Sequence, residues 1–365
     1  MIQGGFHIPH KRRRRQRRRL DNNNFALLVS SASILLLVLV ASSSSSSSNA
    51  VAAAAAMTTN NNNSNSNAKS RLVYGKDDAL FGAIEAQQQP QTFGNVLDAG
   101  TGLHSLRWLA TLQEENKGMT SFTAITADRT MQRNVQAEAD ALGIPQDVGK
   151  IVMGNWFDSS TSTSTTSSSI EDQLEEESFH VILADYLIGA MDGFSPYQQD
   201  LMIPKLCKYL KPGGRLYIVG LEPIPDSVST TSTRTSDPAN IICKVRQIRD
   251  ACILLAGHRC YREYPVEWIE RQITNSTQQH QQLLKWVNTS RFPILYKHQT
   301  IVNQINVARS KFPFFPSSSK NNNNLADEMK VVLDDLEQQS WEATKHGQER
   351  IRLGFDYVVT AEKKK

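Results

Sequence analysis

Five short apolar runs alternate with helical stretches between residues 95 and 219, and this rhythm narrows the fold more than anything else in the chain. The runs lie at 95–98, 122–127, 150–153, 180–184 and 215–219. Each is too short for a buried helix. The fourth is apolar at nearly every position, as a strand buried on both faces must be. Between them, 103–112 places Leu103, Leu106 and Ala110 on one helical face, and 131–142 is a helix closed by Gly143 and Pro145. Ser195, Pro196 and Gln198 read as a capping box with proline at the first helical position. The helix they open runs to Leu210 and stops at Lys211-Pro212-Gly213-Gly214. An earlier helix is expected over 77–86, capped by Asp77. Strands alternating with helices at this pace give an α/β fold, with a mostly parallel sheet and helices on both faces.

Past the fifth run the pattern loosens. Helices are expected over 241–256, 266–274, 300–311 and 326–345, and strands near 284–287 and 355–361. Those two strands should complete a sheet of about seven, with a helical insertion between them. Ser/Thr/Asn tracts at 159–169, 227–236 and 317–324 have almost no apolar side chains, so burial there cannot offset the entropy of ordering. They read as disordered loop insertions, near 159–170, 226–238 and 316–324, within one domain spanning 70–365.

The segment in front of that domain is of another kind. Lys11, Arg12–Arg15 and Arg17–Arg19 put eight cations into a basic tail, 1–24. Setting those eight aside leaves 32 basic against 36 acidic residues, so the rest of the chain is mildly acidic. A nucleic-acid substrate would call for a basic footprint, and none is expected. Residues 25–41 are an apolar run of 17, broken only by Ser30, Ser31 and Ser33. That is the lower end of the spanning range of roughly 17–25, and longer than a signal core of about 7–15. Two readings stand. A retained single-pass anchor would keep the cations cytosolic and place the domain in the endomembrane lumen or outside. A cleaved leader would send the domain to secretion or into an organelle. A Ser/Ala/Asn linker, 42–69, follows. In a lumen Asn62, Asn275 and Asn288 would each head a glycosylation sequon. The four cysteines form no CxxC and no His/Cys pair at metal spacing, so no metal is expected. Cys243 and Cys252 would face opposite sides of one helix and could not bond to each other.

The chemistry concentrates in Val96-Leu97-Asp98-Ala99-Gly100-Thr101-Gly102-Leu103-His104-Ser105, a strand, a glycine turn and a helix start. Gly100 and Gly102 let the backbone approach a ligand, and the helix N-terminus offers amides to an anionic group. A nicotinamide fold would want a third glycine where Ser105 stands, and an apolar residue where Asp98 stands. An acid at that position suits a cofactor that is cationic near the turn and has no pyrophosphate.

On these residues the chain resembles the class I S-adenosylmethionine-dependent methyltransferases. Further pieces carry the resemblance in order: Ile125-Thr126-Ala127-Asp128, Gly154-Asn155-Trp156-Phe157-Asp158, Ala184-Asp185-Tyr186-Leu187 and Leu210-Lys211-Pro212-Gly213-Gly214-Arg215-Leu216. It covers nearly all of 71–365 outside the low-complexity tracts. It implies a Rossmann-like, doubly wound sheet and S-adenosylmethionine as cofactor. Asp98 and the Gly100-Thr101-Gly102 backbone, with Ser105 behind them, would hold the methionyl end. Asp128 would accept the ribose hydroxyls. Asn155 would read the adenine amine, with Trp156 packing near the ring. Asp185 and Tyr186 would border the methyl-transfer site, Asp185 also touching cofactor, and both are the candidates for removing a proton from the acceptor. His104 and the stretch 113–120 depart from the family pattern. Tyr186-Leu187-Ile188 replaces the Pro-Pro-aromatic sequence that suits base amines and glutamine amides. The acceptor is then a small molecule or lipid, with a protein side chain or a catalytically inactive cofactor binder as alternatives. Glu222 either lines the acceptor pocket or faces water, His180 reads as structural, and the aromatic residues between Cys260 and Phe315 form either a lid or ordinary packing.

Overall fold

The computed structural model describes residues 78–157, 169–229, 237–275, 277–278, 281–316 and 322–365. Seven strands form one sheet: β1 Gly94–Asp98, β2 Met119–Thr126, β3 Gly149–Met153, β4 Phe179–Asp185, β5 Leu210–Leu221, β6 Leu284–Tyr296 and β7 Ile351–Lys363. Their order is β3-β2-β1-β4-β5-β7-β6. The first five strands pair in parallel, and β7 runs antiparallel between β5 and β6. Parallel neighbours need crossovers, and helices supply them. The helices are α1 Ala79–Gln88, α2 Leu103–Glu114, α3 Arg129–Leu142, α4 Ile170–Gln173, α5 Leu187–Ala190, α6 Gln199–Tyr209, α7 Ala239–Leu255, α8 Val266–Asn275, α9 His298–Arg309 and α10 Asn322–Ala343, of which α2 to α6 lie between the parallel strands.

Strand side chains alternate between two cores, and the sequence shows why both faces are covered. On β4, Val181 and Leu183 join one core while Ile182 and Ala184 join the other. On β5, Tyr217 and Val219 go with the first, Leu216 and Ile218 with the second. With a period of two, only a strand that is apolar at every position can feed both cores. The first core is closed by α1, α2, α3, α7, α9 and α10, and the second by α4, α5, α6 and α8. This is the expected doubly wound, Rossmann-like fold. Local signals set the helix ends: Asp128 caps α3 through the amides of Thr130 and Met131, and Gly143 ends it in the left-handed conformation at φ 69°. The four cysteines are buried free thiols.

Several expectations need correction. The cap of α1 is Asp78, whose Oδ1 accepts from Leu80 and Phe81; Asp77 lies outside the described residues. The Ser195 capping box does not form. Tyr197 is left-handed at φ 70°, α6 starts at Gln199, and the Ser195 hydroxyl donates to Asn155 Oδ1 at 2.8 Å. Lys211-Pro212-Gly213-Gly214 does not separate helix from strand; it lies inside β5, where Gly213 at φ 78° forms a bulge against β4. The strand expected over 284–287 continues to Tyr296 because β7 offers it a partner of equal length. Parts of the low-complexity tracts are structured at their edges. Val228 and Asn240 exchange two hydrogen bonds of 2.8 and 2.9 Å, Ser169 caps α4, and α10 begins at Asn322. Extending a long helix backwards costs less than nucleating one. Among the described residues no helix is long and apolar enough to cross a membrane. The expected anchor, 25–41, and the basic tail lie outside the described residues.

Candidate functional site

β1 delivers the chain to the glycine turn with its last side chain, Asp98, fully buried. Neighbouring strands clamp the turn: the Ala99 amide donates to Leu183 O at 2.9 Å and the Thr101 amide to Ile125 O at 2.7 Å. The Thr101 hydroxyl donates back to Asp98 O at 3.2 Å. Gly100 lets Leu187 close onto the turn, since a Cβ would lie 2.9 Å from Leu187 Cδ1 and that side chain would have to shift. At Gly102 a Cβ would meet nothing within 4 Å, so that glycine leaves open space at the head of α2. The first amides of α2 have no partner inside the helix. Ser105 is buried under the turn, its Oγ accepting from the Gly102 amide at 3.2 Å; it supports the turn and does not line the cleft.

A narrow slot of about 70 Å³, partly open to solvent, runs from this turn along the ends of β2 and β3. Gly100, Thr101 and Gly102 form one end, Ile125 to Asp128 with Met131 one wall, Asn155 and Trp156 the floor, and Leu187, Met191 and Phe194 the cover. Asp128 keeps one carboxylate oxygen on the two α3 amides, while its Oδ2 is buried with no partner. Asp98 Oδ2 and Thr126 Oγ1 are also buried and unpartnered. Burial pushes the Asp98 carboxyl up to about 6, against the pull of Ser105, Thr101 and the Gly100 amide.

Asn155 and Trp156 have structural duties as well. The Trp156 indole donates to Ala99 O at 2.7 Å, bolting the β3 loop to the glycine turn. The Asn155 amide nitrogen donates to Phe194 O at 3.3 Å, and its oxygen accepts from Ser195 at 2.8 Å. That side chain holds the cover of the cleft. An adenine amine could be read by it only in exchange for one of these bonds.

Asp185 and Tyr186 do not line the cleft. Asp185 is 6% exposed, and among the described residues no donor reaches its carboxylate. Burial raises its carboxyl well above the usual range, and Asp98, Asp78 and Asp356 add to the effect. Tyr186 is left-handed at φ 49°, and its hydroxyl donates to Asp356 Oδ1 at 2.7 Å. A bulky residue in that conformation is strained, and such strain collects at functional sites. The hydroxyl is committed to Asp356, so Tyr186 in this arrangement positions that acid.

Two further acids escaped the sequence reading in this role. Asp78 arrives from the head of α1 and accepts from His104 Nε2 at 2.9 Å. Burial lowers the His104 imidazole to about 4, so it meets Asp78 as a neutral donor. Asp356 comes from β7. Strand parity was the available signal for Asp356. It pairs with Leu221, and so shares a face with Val219 and, across β4, with Asp185. Glu222 lies elsewhere, pairing with Arg291 at 3.2 Å and accepting from the Val266 amide at the head of α8. His180 is structural: its Nδ1 accepts from the Asn95 amide at 3.0 Å. Tyr261 stands edge-on to Tyr186, and the Arg262 amide donates to Gly189 O at 3.1 Å, so this segment roofs α5.

No protein-family model matches the chain, and no curated protein matches it. Solved structures are similar at low identity. The YcgJ protein of Bacillus subtilis is 14% identical over 78% of this chain and 97% of its own, with a TM-score of 0.42. An S-adenosylmethionine-dependent methyltransferase from Thiobacillus denitrificans, in complex with S-adenosylhomocysteine, is 14% identical over 77% of this chain and 89% of its own, with a TM-score of 0.38. Coclaurine N-methyltransferase, bound to N-methylheliamine and S-adenosylhomocysteine, is 11% identical over 79% and 76%, with a TM-score of 0.40. The reading of the site rests on its own residues.

Proposed function

We propose that this chain, built on the fold of the class I S-adenosylmethionine-dependent methyltransferases, binds that cofactor in the cleft and transfers its methyl group to a small molecule or lipid. The observation that carries the reading is a pair of buried, unpartnered atoms on residues that line the slot, Thr126 Oγ1 and Asp128 Oδ2, with Asp98 Oδ2, likewise unpartnered, at the end of β1 just outside that lining. Buried polar atoms without partners are rare and costly, and a ligand with donors at those points removes the cost. The residues present fit this cofactor. Asp98 would accept from the methionyl ammonium, and the first amides of α2 would donate to its carboxylate. Asp128, oriented by its cap, would offer Oδ2 to a ribose hydroxyl. Ile125, Met131, Met191 and Phe194 give a planar ring a dry, narrow seat.

When bound, the cofactor supplies a methyl group on a cationic sulfur that leaves as a neutral thioether. The chain's work is then alignment and exclusion of water. Asp185, buried with its carboxyl raised, can hold a proton from the acceptor. The leader, read as an anchor, would bring lipid acceptors within reach of the domain.

A second reading, a cofactor binder without transfer, has one observation behind it: the cleft stops short of Asp185, under the roof around Tyr261. Incubating the full-length protein with methyl-tritiated cofactor and separated small-molecule, lipid and protein fractions distinguishes the two. Label in the small-molecule or lipid fraction, absent with Asp98→Ala, is the expected result. Label only on protein would move the acceptor to a side chain. Cofactor binding with no label anywhere would favour the inactive binder.

A further inference from the structure

At about 70 Å³ the slot has room for a few water molecules, far too little for an adenine, a ribose and an amino acid together. A ligand of that size enters only if a wall moves. Three walls are fixed. The glycine turn is clamped to β2 and β4, and Asp128 is tied to α3. Trp156 is bolted to Ala99 O. The fourth wall, the cover supplied by Leu187, Ala190, Met191 and Phe194, is built differently. It spans 187–196 and is bracketed by two tyrosines in the left-handed conformation, Tyr186 at φ 49° and Tyr197 at φ 70°. Bulky residues are strained there, and hinges are the positions that absorb a change of φ. Tyr197 is 82% exposed and belongs to neither core.

Two sets of contacts hold the cover shut. On the slot side, Asn155 donates to Phe194 O at 3.3 Å and accepts from Ser195 at 2.8 Å. On the outer side, buried Asp192 accepts both prongs of Arg259, Nε to Oδ2 at 3.0 Å and Nη2 to Oδ1 at 3.2 Å, and Arg262 Nε lies 3.5 Å from Oδ2. The Arg259 guanidinium also sits 5.3 Å from the ring centre of Tyr197. Both arginines belong to the roof, 259–264, which is anchored elsewhere. Glu263 accepts from the Ile224 amide at 2.8 Å and from Arg246 at 3.3 Å, and Tyr264 O accepts from the Tyr357 hydroxyl at 2.9 Å. The roof therefore stays while the cover moves. A two-pronged pair of charges outweighs the two neutral bonds to Asn155, so the roof side governs opening. We propose that 187–196 is a hinged gate over the slot, latched by Asp192 on Arg259 and Arg262, and that its opening limits how fast a ligand enters. That the ligand is S-adenosylmethionine rests on the reading above; the latch does not. Opening also breaks the Asn155 bonds and leaves that amide to an incoming adenine.

The test mixes full-length protein with S-adenosylhomocysteine in stopped flow, read by tryptophan fluorescence because Trp156 floors the slot. The association rate should level off with rising ligand concentration, at the opening rate of the gate. Arg259→Gln removes the charged fork. Gly189→Ala parts cover and roof without touching a charge, because its Cβ would collide with the Tyr261 ring and Arg262 O. Each should raise the plateau tenfold or more. In the ligand-free variants, hydrogen exchange at the bonded amides of Ala190, Phe194 and Ser195 should quicken by a similar factor, with β4 and β5 unchanged. A rate that climbs in proportion to ligand without a plateau, or a plateau that neither variant moves, would overturn the gate. Exchange that quickens equally in β4 and β5 would show a loosened fold and overturn the latch. The exchange arm needs no cofactor. If S-adenosylhomocysteine fails to bind while those amides respond, the cofactor reading falls and the latch stands; if the amides do not respond, the latch falls whatever binds.

Discussion

The two ends of the cleft region are built differently. The end proposed for the cofactor, from the glycine turn to Trp156, is made by consecutive elements: β1, α2, β2, α3 and the loop after β3. Three buried polar atoms there lack partners. The end proposed for the acceptor gathers Asp78, Asp185, Tyr186, Tyr261 and Asp356 from across the chain and closes over them. A binding slot can be held ready by short-range contacts. A reaction chamber that excludes water needs walls from elements far apart in sequence, and those walls must move to admit an acceptor.

Substitutions can break this contrast, because the two ends should respond to different measurements. Asp98→Ala has the largest expected effect on cofactor affinity, a loss of about a hundredfold, as for a charged hydrogen bond. Trp156→Phe removes the donor to Ala99 O and leaves that carbonyl buried and unmet. Urea denaturation should show about 2 kcal/mol of lost stability, and affinity should fall with the loosened turn. Asp128→Asn keeps a competent cap on α3, since asparagine caps about as well as aspartate. It should therefore hold stability within about 0.5 kcal/mol and weaken binding about tenfold. If Asp128→Asn instead unfolds the protein, Asp128 is a cap and no more.

The pH profile sharpens the same contrast. Burial sets the Asp98 carboxyl at about 6, well above its ordinary value. Below that pH it is protonated and cannot accept from an ammonium ion, so affinity is present above about 6 and falls as pH drops. Calorimetry should find binding about tenfold weaker at pH 5 than at pH 7.5, with a flat profile in Asp98→Asn. The smallest expected effect belongs to the other end. Tyr186→Phe loses the bond to Asp356, about 1 kcal/mol of stability, while cofactor affinity stays within about twofold. A large loss of affinity there would merge the two ends into one.

Legibility in the sequence divides along the same line. The apolar runs and the glycine turn announce β1 to β5 because local periodicity and backbone freedom decide them. Asp98 and Asp128 could be named as candidates for the same reason: each is fixed by the strand end that precedes it. Asp78 and Asp356 join the site only through the packing of α1 and the antiparallel insertion of β7, which no short window of sequence encodes. Ser195 shows tertiary structure overriding a local signal, its hydroxyl turned from a helix cap to Asn155. β6 shows the converse, a strand lengthened by its partner through positions that are mostly exposed.

The most direct test is a calorimetric titration of the full-length protein with S-adenosylmethionine, alongside NADH and the Asp98→Ala variant. Micromolar binding of S-adenosylmethionine, no binding of NADH and loss of binding in the variant are the predicted results. A folded protein that ignores S-adenosylmethionine, or binds it equally well without Asp98, would contradict the assignment of the cleft.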